Sequence, residues 1–97
     1  MDNNEIINWI KENCKYNGNI TFRGDSSSRE IYAVNCLDGL YEIMLFKDLH
    51  SNKYSNCIKC RRLSGLCFVP ISWDVYTLQE FKENMLYKFQ KNIKEFE

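Results

Sequence analysis

The stretch from Glu30 to Lys47, EIYAVNCLDGLYEIMLFK, constrains this chain more than any other. Two runs rich in Ile, Val, Tyr, Leu and Phe flank Asp38-Gly39, a dipeptide suited to the positive φ angles of a tight hairpin turn. With those residues as the loop, Leu37 pairs with Leu40, Cys36 with Tyr41, Val34 with Ile43 and Tyr32 with Leu45. Side chains alternate along a strand, so Tyr32, Val34, Cys36, Tyr41, Ile43 and Leu45 share one face. That face is apolar apart from its tyrosine hydroxyls and is assigned to the core. The other holds Ile31, Ala33, Asn35, Leu37, Leu40, Glu42, Met44 and Phe46. With Asn35 set opposite Glu42, it is expected to meet solvent or a partner.

The flanking segments supply what this hairpin must pack against. Asp2-Asn3-Asn4-Glu5 matches a capping box, and Ile6, Ile7, Ile10 and Cys14 then recur at helical spacing. A short helix is expected from Asn3 to Cys14, with Trp9 at the edge of its stripe and Asn17-Gly18 ending it. Asn19 to Arg23 reads as a first strand, and Gly24-Asp25-Ser26-Ser27-Ser28 as a polar turn into the hairpin. DLHSNKYSN, from Asp48 to Asn56, reads as a loop. Cys57 to Arg62 and Leu66 to Trp73 read as two further strands, the latter at an edge because Pro70 lacks an N–H. A second capping box, Thr77-Leu78-Gln79-Glu80, opens a long helix with a stripe of Leu78, Phe81, Met85, Phe89, Ile93 and Phe96. The fold class is α+β: one domain, residues 1–97, with a short N-terminal helix, about five short antiparallel strands around a central hairpin, and a long C-terminal helix packed on one sheet face.

Candidate chemistry is sparse. Cys57-x-x-Cys60, with Cys67 and His50, offers three thiolates and an imidazole to a tetrahedral zinc ion. In an extended strand, however, Cys57 and Cys60 point to opposite faces. The segment lacks the helix start that a thioredoxin-like redox pair requires. His50 is the sole histidine and lies in a polar loop beside Ser51, without the base–nucleophile arrangement of covalent catalysis. No glycine-rich phosphate loop occurs. The expectation is a protein that is not an enzyme and has no cofactor or metal. Thirteen basic and thirteen acidic residues cancel, which disfavours both a uniformly basic nucleic-acid binder and a densely acidic nucleic-acid mimic. The five cysteines and an N-terminus with neither a basic nor an apolar signal region fit reduced thiols in a cytoplasm. No apolar run approaches membrane-spanning length.

Local charge is less even. Asp25, Glu30, Asp38, Glu42 and Asp48 make the hairpin region acidic, while Lys53, Lys59, Arg61 and Arg62 make the next segment basic. A dipolar surface of this kind steers a charged partner. Tyr54, beside the basic segment, is a candidate to stack on a base.

The stretches NEIINWIKEN, TFRGDSSSREIYAVNCLDGLYEI and WDVYTLQEFKENM together resemble small phage anti-CRISPR proteins. The resemblance implies a non-enzymatic inhibitor of a guide-loaded Cas nuclease, acting in the host bacterial cytoplasm. Its acidic hairpin would occupy the arginine-lined site reserved for the short duplex motif beside the target. Carried onto this chain, the implied contacts are Asp25, Asp38, Glu42 and Tyr41. A neutral chain can also block an effector by wedging a subunit interface. The partner-binding candidates are Asp25, Asp38, Tyr41, Glu42, Lys59, Arg61 and Arg62, and the expected partner is a bacterial CRISPR-Cas effector. The rival readings are a zinc- or nucleic-acid-binding module built on Cys57–Arg62 and a homodimer through exposed apolar positions.

Overall fold

A computed structural model describes residues 3–21, 23–24, 26–63 and 72–92. Helix α1 (Asn3–Asn13) leads into strands β1 (Lys15–Ile20), β2 (Ser27–Cys36), β3 (Gly39–Asp48), β4 (Tyr54–Leu63) and β5 (Asp74–Thr77). Helix α2 (Leu78–Phe81), a π-helical segment (Lys82–Leu86) and helix α3 (Tyr87–Asn92) then follow without a break. The strands form a single antiparallel sheet in the order β1-β2-β3-β4-β5, a meander with β3 at its centre. The architecture is the expected α+β one.

Both helical elements lie on one side of the sheet. Ile6, Ile7, Ile10 and Cys14 from α1 meet Tyr32, Val34, Cys36, Tyr41, Ile43 and Leu45 from the hairpin. Ile58 and Cys60 from β4 join them, as do Leu78, Phe81, Leu86 and Phe89 from the C-terminal helix. Val34, Ile43, Phe81 and Phe89 are fully excluded from water. Each such side chain stabilises the fold by about 1.5–3 kcal/mol before conformational entropy is counted.

The hairpin keeps its faces but not its register. Cys36 pairs with Gly39, Val34 with Tyr41 and Tyr32 with Ile43, so the turn is Leu37-Asp38 rather than Asp38-Gly39. Gly39 carries the positive φ, +140°, just after the turn, where an added Cβ would come 3.3 Å from Nε of Arg62. Leu37 and Asp38 both keep negative φ, which excludes the mirror-image turn that Asp-Gly suggests. The slip is two residues, one full pleat, so every side chain stays on the face assigned to it. Ala33, not Asn35, faces Glu42.

Other boundaries move for identifiable reasons. Helix α1 stops at Asn13, where the Asn13 amide donates to the Trp9 carbonyl (2.9 Å) and the Cys14 N–H to Ile10 (2.9 Å). Asn17-Gly18 therefore does not end the helix. It lies inside β1, at a register shift between Tyr16 and Gly18, and Gly18 takes φ +129° there. Strand β4 begins at Tyr54, because the connection from β3 is only a tight turn in which the Asp48 carboxylate accepts the His50 and Ser51 N–H groups (2.7 and 3.0 Å). The last strand is Asp74–Thr77, directly before α2, and Ser72 and Trp73 are not in a strand. The other residues of the expected Leu66–Trp73 strand lie outside the described residues, as do the Asp2 cap, Ile93 and Phe96. The second capping box is present: the Thr77 hydroxyl accepts the Glu80 N–H (3.1 Å) and the Glu80 carboxylate the Thr77 N–H (2.9 Å). The π segment inserts an extra residue per turn, so Leu86 enters the core (1% exposed) and Met85 packs at its margin.

Candidate functional site

Among the described residues both helical elements lie on one side of the sheet and neither covers the other, where the strand register lays the side chains out in rows. One row runs Ile20, Arg29, Phe46; the next runs Gly18, Ile31, Met44, Lys59, Val75. A third runs Lys15, Ala33, Glu42, Arg61, and a fourth Asn35, Leu40, Leu63. Most of these residues are half-buried or exposed, Val75 at 63%. Ala33, Glu42 and Met44 are shielded by their neighbours in the middle of the sheet.

Glu42 is 7% exposed, an unfavourable place for a carboxylate unless it is compensated. Compensation comes from both flanks. Arg61 donates from Nε (2.9 Å) and Nη2 (2.8 Å) to Oε1, and the Asn17 amide donates to Oε2 (3.3 Å). The bulge in β1 brings Asn17 to this position. The guanidinium of Arg61 also lies 4.1 Å from the ring centroid of Trp73. At the other end of the face, the Phe46 ring has Arg29 at 5.9 Å and Lys59 at 5.8 Å from its centroid. Among the described residues this face therefore carries two aromatic rings, each beside a cation. Its cations among the described residues, Lys15, Arg29, Lys59 and Arg61, outnumber its acids there, Glu42 and Asp48.

The hairpin tip is a separate site. Asp38 Oδ2 accepts hydrogen bonds from the Tyr41 hydroxyl (2.7 Å) and from Lys88 Nζ (2.6 Å), which also bonds the Tyr41 oxygen (2.6 Å). The lysine holds the Asp38 carboxyl below its ordinary range, the tyrosine hydroxyl adding to the effect, and Lys88 itself is pushed up to about 12 by the same bonds. This triad ties the turn to α3. On the core-side rim, Tyr32 and Tyr54 donate to Oε1 of Glu30 (3.1 and 2.8 Å), and Lys11 and Lys47 lie 4.8 and 5.8 Å from the Tyr54 ring. Burial first, and Glu30 next, raise the pKa of both tyrosines.

Three of the sequence candidates, Glu42, Lys59 and Arg61, come together on the helix-free face. Arg62 points the other way, beside Gly39, and Tyr41 lies mostly in the core. Asp38 sits at the tip, and Asp25 lies outside the described residues. Tyr54 belongs to the Glu30 cluster rather than to this face. The alternation separates the Cys57-x-x-Cys60 pair: Cys57 is exposed and Cys60 is in the core at 2%, so the two thiols do not converge on one ion. Among the described residues no three of His, Cys, Asp and Glu are grouped as metal ligands, and Cys67 lies outside them. Burial first, then Cys36 for Cys14 and Asp74 with two thiols for Cys60, push both thiols up to about 12. Arg29, Asn17 and Trp73 are not among the sequence candidates, and Phe46 is there only as a member of the face expected to meet solvent or a partner. Extending the period-2 alternation of β2 back beyond Glu30 finds Arg29, and the same parity in β3 finds Phe46. Neither Asn17 nor Trp73 has such a signal.

Compared with protein-family models, curated proteins and solved structures, the chain matches none of them. Among the described residues no helix is long and apolar enough to cross a membrane.

Proposed function

We propose that this chain is a non-catalytic binding domain that inhibits a bacterial CRISPR-Cas effector or another defence nuclease in the host cytoplasm. It docks through the helix-free sheet face and covers a nucleic-acid-binding or subunit-interface surface of its target. One observation carries the reading: the face spans all five strands, and the sheet's own pairing fixes the backbone positions from which its side chains project. A backbone ordered before docking loses little freedom when it binds. Burial keeps the Cys14 and Cys60 thiols protonated and so poor nucleophiles, which argues against these two as catalytic groups. Asp38 and Glu42 are each tied to a cation of the same chain, so the acidic hairpin is not the contact, and the basic rows around Lys59 favour an acidic subunit-interface surface of the target over a cationic nucleic-acid-binding one.

Co-purification with candidate effectors, followed by a guided-cleavage assay, tests the proposal. Wild-type protein is expected to be retained and to suppress cleavage. Failure of every candidate to retain the protein or lose activity would remove the inhibitor reading.

A further inference from the structure

We infer that the helix-free face binds single-stranded nucleic acid, with bases stacked on Phe46 and Trp73 and phosphates held by Lys15, Arg29 and Lys59. The inference goes beyond the inhibitor proposal because it requires no nuclease, so either can fail while the other stands.

Aromatic side chains on a sheet face offer flat platforms to which any base can add its own π-face. Phe46 is half-buried among the rows with Arg29 and Lys59 beside it, and Trp73 is half-buried with Arg61 stacked against it. Phe46 and the Glu42–Arg61 row that carries Trp73 lie four residues apart along β3, roughly 13 Å. The rings are therefore two separate stations, and a strand must cross the sheet to reach both. Between them lie the half-buried Ile31 and the exposed Val75, apolar surface against which an unpaired base or sugar can rest.

Charge supports the same ligand. Lys15, Arg29 and Lys59 fall on successive rows, β1, β2 and β4 each contributing one. The acid in the middle of the face, Glu42, is 7% exposed and paired with Arg61, so it opposes a phosphate only weakly. A duplex hides the faces of its bases and is read through its grooves by a projecting helix or ribbon, neither of which this flat face provides. An acidic peptide would meet the cations but leave both rings unused.

Fluorescence anisotropy with fluorescein-labelled oligo-dT and oligo-rU of about 15 nucleotides, a length matched to the site sizes of single-strand binders, tests the inference. Wild-type protein is expected to bind the single strands, and more weakly as salt rises. Phe46→Ala and Trp73→Ala should each weaken binding roughly five- to a hundredfold, the range for loss of one stacked base. Lys59→Glu should flatten the salt dependence by about one ion or more, while Tyr87→Ala on the helical side should change nothing. Thermal melts establish that each variant is folded. Trp73 lies outside the strands and Lys59 is partly exposed, so those two variants decide the matter even if Phe46→Ala does not fold. The inference is overturned by any of three results: no salt-dependent binding, binding by a folded aromatic variant as tight as that of wild type, or a duplex or poly-glutamate bound as tightly as the single strand.

Discussion

Replacing Arg61 with methionine tests the organisation of the helix-free face at its centre. The substitution keeps much of the aliphatic stem and removes the charge, leaving the Glu42 carboxylate, 7% exposed, with only the Asn17 amide at 3.3 Å among the bonds described above. Removing one partner of a fully buried ion pair costs about 3–5 kcal/mol. Here the side chains retain 26% (Arg61) and 10% (Glu42) exposure, so water reaches the carboxylate and the scale falls to about 2 kcal/mol. For a domain of this size, that lowers Tm by roughly 8–16 °C. Glu42→Leu leaves an arginine that can swing toward solvent and should cost less, about 1 kcal/mol. The double variant, Glu42→Leu with Arg61→Met, replaces both charges with apolar groups and should lie within about 1 kcal/mol of wild type. Urea melts with an unchanged slope read the cycle. If the two single changes add to within about 0.5 kcal/mol, the pair is uncoupled and the reasoning is wrong.

Other consequences are as direct. Val34→Asp places an unpaired charge at a position with 0% exposure and should abolish cooperative unfolding in a thermal melt; a folded Val34→Asp protein would reverse the assignment of the faces. The Asp38 pKa is lowered in the fold, so its bond to Lys88 stabilises above the unfolded value of 3.8 and is lost as pH falls through the folded one. The Tm advantage of wild type over Asp38→Asn should therefore be present at neutral pH and vanish in strong acid, whereas a pH-independent gap contradicts the triad. Site-resolved mass spectrometry after a brief alkylation should find Cys57 modified in the native protein and Cys14 and Cys60 only after denaturation; early labelling of Cys60 contradicts its place in the core.

What was legible in the sequence, and what was not, follows from the kind of signal each residue carries. Val34, Ile43 and their neighbours announced their face because burial of a sheet on one side imposes a period of two, and that signal survives a register error of two residues. The turn was misplaced because Asp-Gly suits several turn geometries, and only the pairing of Cys36 with Gly39 selects among them. Strand β1 was displaced because Lys15-Tyr16-Asn17-Gly18 is an exposed edge with little apolar alternation to read. In the C-terminal helix the stripe Leu78, Phe81, Phe89 held, but the π segment substituted Leu86 for Met85, a shift of backbone winding without a sequence signature. Glu42, Lys59 and Arg61 were individually visible as charged strand residues. Their convergence required the β3–β4 register, and the clamp on Glu42 also required the bulge that delivers Asn17.

The central claim is that the helix-free face, and not the helical side, meets the partner. Its most direct test is a guided-cleavage assay comparing wild type with Lys59→Glu/Val75→Glu on that face and Tyr87→Glu on α3, all three at exposed or half-exposed positions. The face variant is expected to lose inhibition while the α3 variant inhibits like wild type. Full inhibition by the face variant, or loss confined to Tyr87→Glu, would contradict it.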